Sequence, residues 1–238
     1  MSSFAERHRD RLRDRARERA RARAPEGPLR AYLSVPPPPR TTPLAQAPLL
    51  AVDFETTGLD ARTAQIVSVG LVPIDGRTIG LAGARRLIVR PEGEVGQSAV
   101  VHGLTDDIVE AGVPLAEAVE VLLAELAGRL MVAHHSVIEI DFLAAACRRL
   151  YGQAPALRSI DTLVLQHRVF RASGPPGSEP PAGSLRLWAA RERYGLPTYQ
   201  AHDALVDALA CAELYLAQSA ELGAGRDLEV RQVMSRYG

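Results

Sequence analysis

LLAVDFETTG, residues 49–58, is the stretch whose reading decides the fold. It starts as a short apolar run, Leu49 to Phe54, and ends at Thr57-Gly58, a turn signal, so it reads as a strand leaving a core. Along a strand, residues i and i+2 point to the same face, which sets Asp53 and Glu55 side by side at the strand's end. Two like charges there repel unless a cation lies between them, and hard oxygen donors suit magnesium or manganese. The competing reading has one carboxylate facing solvent and capping the turn, because Asp-x-Glu is a short motif.

Outward from this strand the pattern alternates as in a mixed α/β domain. IVSVGLVPI (66–74) and RRLIVRP (85–91) read as two further meandering strands, the Asp75-Gly76 turn following the first. AEAVEVLLAEL (116–126) has a helical period, RLMVAHH (129–135) is a fourth strand, and IEIDFLAAACRRL (138–150) is a helix. Helices over 185–194 and 203–222 close the domain. SGPPGSEPPAGS (173–184) reads as a loop that covers the site or connects helices. The expected organisation is an arginine-rich helical arm and proline-rich linker over 1–48, a catalytic domain over 49–222 and a tail over 223–238.

The 238 residues carry 28 arginines plus lysines, and every one is an arginine. Without lysine, a phosphate loop, a Schiff-base enzyme and a kinase are excluded. The two cysteines, Cys147 and Cys211, sit in apolar patterns and suggest neither a zinc ribbon nor a disulfide framework. Residues 1–24 hold nine arginines against four acids, whereas the rest of the chain holds 19 arginines and 24 acids. A mildly acidic body must recruit cations to approach a polyanion. Acids and arginines alternate at helical spacing in the arm, and its apolar positions are mostly alanine, so a free or partner-docked helix is expected. A phosphate-binding arm and an anionic-membrane contact are the other readings, both diluted by the arm's acids. Pro36–Pro39 reads as a stiff extended connector. With no leader pattern and no long apolar run, a cytoplasmic protein without a membrane span is expected.

A second cluster, His202-Asp203-Ala204-Leu205-Val206-Asp207, opens the last helix. His202 and Asp207 lie about 140° apart on an ideal helix, so they share a cleft only if His202 sits on the entering loop. A loop imidazole suits a general base, and its bland alternative is a surface histidine. Trp188 and Tyr194 read as staples rather than base-stacking platforms.

In order, Asp53-x-Glu55-Thr56-Thr57-Gly58, His102-Gly103-Leu104-Thr105, the segment from His134 to Leu143, and His202-x4-Asp207 resemble the motifs of the DEDD exonucleases in their histidine variant. That group includes the proofreading subunit of bacterial replicative polymerases and the oligoribonuclease and RNase T types. The resemblance implies an RNase H-like fold with a mixed five-stranded sheet flanked by helices. It implies that Asp53, Glu55, Glu139 and Asp207 hold two Mg2+ or Mn2+ ions, with His202 as general base. Phe54, Thr56, Thr57, Gly58, His102, Gly103 and Thr105 are the implied substrate-binding residues. Members carry aspartate where this chain has Glu139; glutamate keeps the charge with one more methylene. Asp141 is the rival ligand, facing about 200° away on the helix. Asp161 matches a structural acid rather than a ligand. The implied activity is 3′-to-5′ hydrolysis of single-stranded nucleic-acid 3′ ends, DNA favoured, as in proofreading or repair. An exoribonuclease and a non-catalytic exonuclease-like scaffold are the alternatives, and the arm is a candidate tether to a polymerase.

Overall fold

The computed structural model describes residues 4–92, 111–175 and 177–235, with side chains from residue 11 onward. Six strands form one mixed sheet: β1 (Pro48–Thr56), β2 (Ile66–Asp75), β3 (Thr78–Ile79), β4 (Arg85–Ile88), β5 (Leu130–Ala133) and β6 (Ser159–Asp161). Their order is β3-β2-β1-β5-β6, with β4 also pairing β2. The β1, β2, β3 and β4 pairings are antiparallel, whereas β5 runs parallel to both β1 and β6. Beyond the five strands expected, the two-residue β3 follows the Asp75-Gly76 turn, where Gly76 adopts a left-handed φ of 63°.

Eight helices are described: α1 (Phe4–Arg23), α2 (Pro28–Ser34), α3 (Leu115–Leu126), α4 (Val137–Tyr151), α5 (Thr162–Ser173), α6 (Leu187–Arg193), α7 (Ala204–Gly223) and α8 (Val230–Val233). None among the described residues is long and apolar enough to cross a membrane.

Alternation along β1 divides the interior in two. Leu50, Val52 and Phe54 face a core shared with α2, α3 and α4. Leu49 and Ala51 face the opposite core, built with α5, α7 and α8. Each core holds one free cysteine, Cys147 in the first and Cys211 in the second. Asp53 and Glu55 continue the register of Leu49 and Ala51, so the two acids emerge on the α7 side of the sheet.

The packed body extends past 49–222 at both ends. Leu29, Tyr32 and Leu33 of α2 belong to the first core, and Val230 and Val233 of α8 to the second. The backbone N–H of Ser235 donates to the Ser159 carbonyl at 3.0 Å, lacing the C-terminal segment to β6. The second half of α1 is docked rather than free. Arg17 is only 8% exposed, and its guanidinium donates to the carbonyls of Tyr32, Val35 and Ala156 at 2.5–3.2 Å. A buried arginine thus does the anchoring that a stripe of larger apolar residues would otherwise do, its planar fork satisfying three carbonyls at once.

Candidate active site

The site forms where β1 ends and α7 begins. In the β1–β2 ladder Asp53 lies opposite Gly70. A β-carbon on Gly70 would overlap the carbonyl of Ala204, so glycine is what lets the first turn of α7 rest on the sheet backbone. That approach brings Asp207, in the same turn, over the two strand acids.

Asp203 caps α7 by accepting the N–H groups of Leu205 and Val206 through Oδ1. Its Oδ2 takes a hydrogen bond from Arg86 of β4 at 2.5 Å. His202 is the residue before the cap, exposed, with φ at 69°. Its backbone N–H donates to Asp207 Oδ2 at 3.0 Å, which turns the histidine back over the helix and fixes the carboxylate. The histidine therefore sits on the entering loop, the condition its spacing from Asp207 required.

Ligand-capable atoms of Glu55, His202 and Asp207 all lie within 4.8 Å of one another. Asp53 is not of that trio, yet it feels the same cluster. Burial, followed by the charges of Glu139, Asp207 and Glu55, pushes its carboxyl well above the usual range. Glu139, in the first turn of α4, is 3% exposed, and burial pushes it up to about 8. Burial also raises Asp207, opposed by the hydrogen bond from His202. Glu139 Oε2 and Asp207 Oδ1 are buried without a hydrogen-bond partner among the described residues. Buried, partnerless carboxylate oxygens are costly as anions, and a hard divalent cation is the ligand that offsets that cost. The donor set fits such a cation.

Asp141, the rival to Glu139, is exposed on the far side of α4. Asp161 is occupied structurally. Its two oxygens accept the N–H groups of His135, Ser136, Leu163 and Val164 and the Ser136 hydroxyl, tying the ends of β5 and β6 to the starts of α4 and α5. His134 donates to or accepts from the Thr162 hydroxyl at 2.9 Å, and burial lowers its ring to about 4, so it is neutral at working pH.

The residues expected to touch substrate divide. The Phe54 side chain turns to the opposite face, where it is buried in the first core, while its backbone continues the strand between the two acids. Thr56 donates its hydroxyl to the Gly58 carbonyl at 2.7 Å, and the Thr57 hydroxyl accepts the Gln65 N–H at 2.9 Å, so both shape the β1–β2 turn. His102, Gly103 and Thr105 lie outside the described residues.

Three features escaped the sequence reading. Leu59, just past the turn, is 87% exposed. Arg86 reaches Asp203 across 117 residues of chain, a pairing no local pattern announces. Arg191, 1% exposed, donates to the carbonyls of Ala210 and Pro197 and to Glu213, and lies 5.3 Å and 5.0 Å from the Trp188 and Tyr199 ring centres. This cage pins the 197–203 approach to α7 against the helix, and it puts Trp188 to use as a staple; Tyr194 likewise donates its hydroxyl to Glu221 at 2.5 Å.

Known proteins resemble this chain in sequence and in fold. A DNA polymerase III PolC-type protein of Thermotoga maritima is 28% identical over 171 residues, 71% of this chain and 12% of its own length. The chain thus spans about an eighth of that relative. The DNA polymerase III subunit epsilon of Treponema pallidum is 28% identical over 165 residues, covering 69% of this chain and 73% of that protein. Among solved structures, E. coli Exonuclease I in complex with a dT13 oligonucleotide superposes with a TM-score of 0.60 at 17% identity, over 76% of this chain and 42% of that one. It shares the fold. The RNase T family model, described as exonuclease, matches residues 50–215, and the chain belongs to that exonuclease family.

Proposed function

We propose that this chain is a divalent-metal-dependent 3′-to-5′ exonuclease that releases nucleoside 5′-monophosphates from single-stranded ends. The observation that carries the reading is the convergence of Glu55, His202 and Asp207 within 4.8 Å, beside Asp53 and a buried Glu139 with a partnerless oxygen. The names of the polymerase III relatives support DNA as substrate and proofreading or repair as the setting, with the same chemistry on RNA as the alternative.

Asp53, Glu55, Glu139 and Asp207 would hold two Mg2+ or Mn2+ ions. Such ions, when bound, acidify the attacking water and stabilise the departing 3′ oxygen. His202, on its loop outside the helix, accepts the proton from that water as its oxygen bonds to phosphorus. The phosphorus–O3′ bond breaks, O3′ takes a proton from solvent water, and the shortened strand leaves with a 3′ hydroxyl. Asp207 is held for its part by the His202 N–H on Oδ2, which leaves Oδ1 for the cation. A scaffolding subunit without activity drew its support from the replacement of aspartate by Glu139; the burial of that residue among the other acids supports a ligand instead.

Side-by-side degradation of DNA and RNA oligomers with free and blocked 3′ ends, with Mg2+, Mn2+ or a chelator, tests this. Stepwise release of 5′-monophosphates from free ends alone is expected. Absence of hydrolysis with both metals would return the chain to the scaffolding class.

A further inference from the structure

The arm lies outside the segment that matches the exonuclease family, and its inward face is accounted for. Arg17, Ala20 and Ala24 turn toward α2 and the α4–β6 connection, where Gln153 Nε2 donates to the Ala20 carbonyl at 2.8 Å. Two acids of the arm are engaged as well. Asp14 accepts from Arg158 at 3.0 Å, and Glu18 from Arg21 at 2.6 Å. Arg11, Arg15, Arg19 and Arg23 remain, all exposed and spaced i, i+4 along α1. Arg15 and Arg19 each lie about 160° around the axis from buried Arg17. None of the four has an ion-pair partner among the described residues.

We propose that these four arginines form a ridge that binds the phosphate backbone of single-stranded nucleic acid upstream of the 3′ end being trimmed. Their guanidinium groups are permanently charged, follow one another in steps of about 6 Å along the axis, and suit phosphate by their planar fork. The ridge is fixed by Arg17 rather than carried on a loose tail. It also supplies positive charge to a chain whose remaining residues are net acidic. Glu139 stands in the first turn of α4 and Gln153 just beyond its last, roughly 20 Å apart at 1.5 Å per residue. A strand with its 3′ end among the carboxylates would therefore need at least about six stacked nucleotides to reach α1, taking roughly 3.4 Å for each, and more to round the helix to the ridge.

The choice of nucleic acid rests on the proposed nuclease reading, but the test needs no hydrolysis. Binding of a 5′-labelled 20-nucleotide oligothymidylate is followed by fluorescence anisotropy in chelator, from 50 to 200 mM salt, for the full chain and for R11Q/R15Q/R19Q/R23Q. Each phosphate contact on a single strand contributes about 0.7 to the log–log salt slope, so losing four lowers it by about 3 and weakens binding more than tenfold. The quadruple lysine variant should keep the slope within about one. Melting temperature and affinity for a dinucleotide, too short to reach the ridge, should not change. An unaltered slope in the glutamine variant overturns the proposal, whether or not the chain is a nuclease. So does loss of sedimentation with phosphatidylserine vesicles while oligonucleotide binding persists, which would make the ridge a membrane contact.

Discussion

Asp53 and Gly70 face each other across the β1–β2 ladder, and the missing side chain of one makes the site of the other. Because the Ala204 carbonyl occupies the place of a β-carbon at Gly70, Gly70→Ala must push α7 off the sheet and draw Asp207 away from Asp53. Hydrolysis should fall at least tenfold, with a stability loss of about 1–3 kcal/mol from overpacking. Ser68→Ala is the control. It lies two residues along the same face, its buried hydroxyl has no hydrogen-bond partner among the described residues, and the melting temperature of the variant should barely move.

Asp53→Asn and Asp207→Asn should abolish metal-dependent hydrolysis while preserving the circular dichroism spectrum. Isothermal titration with Mn2+ should show weaker binding in each. Full activity in purified Asp53→Asn protein would remove the metal reading.

His202→Ala should lower kcat by about 10²- to 10³-fold with little change in KM, the range expected when a general base is lost. Its backbone N–H persists in the variant, so the Asp207 contact and metal affinity should survive. A matching loss of metal affinity would instead make the imidazole a ligand, an outcome its membership of the 4.8 Å trio makes worth measuring.

Metal-free protein should lose stability as pH rises from 5 to 8. Burial places Glu139 at about 8 against a usual 4.5, and Asp53 also lies high, so the folded state binds more protons than the unfolded one across this window. Stability conferred by protonation is present in acid and fades toward pH 8. Mg2+ or Mn2+ should raise the melting temperature most at pH 8 and least at pH 5. Glu139→Gln should flatten the metal-free profile, by on the order of 2 kcal/mol at pH 8.

Arg191→Lys should cost about 3 kcal/mol, because one ammonium cannot serve the Ala210 and Pro197 carbonyls and Glu213 while stacking between Trp188 and Tyr199. The 197–203 approach should loosen with it, visible as faster proteolysis there and a lower kcat. Tyr199→Phe, which loses one hydrogen bond to Glu213, should cost about 1 kcal/mol.

Much of the architecture was legible because it follows from short-range periodicity. Alternation in β1 placed Asp53 with Glu55, and helical spacing required His202 to precede α7. What escaped depends on partners far along the chain. Arg17 reads as a solvated charge until Ala156 and Tyr32 arrive to accept its protons. Helix α5 was missed because buried Gln166 looks polar in sequence, whereas in the fold Gln218 donates to it at 2.9 Å. The four residues of α8 are too few to show a period, and only their burial beside β6 reveals them. Phe54 belongs to the same motif, yet the alternation that turns Asp53 and Glu55 toward α7 turns its side chain into the opposite core.

The two thiols, one on each side of the sheet, turn the molecule into its own pair of opening sensors. Burial pushes Cys147 up to about 12 and raises Cys211 as well, so neither reacts with a disulfide reagent until its own layer parts. Their modification rates, followed separately in the C147S and C211S proteins, would show whether the helices bearing Glu139 and Asp207 breathe together or apart.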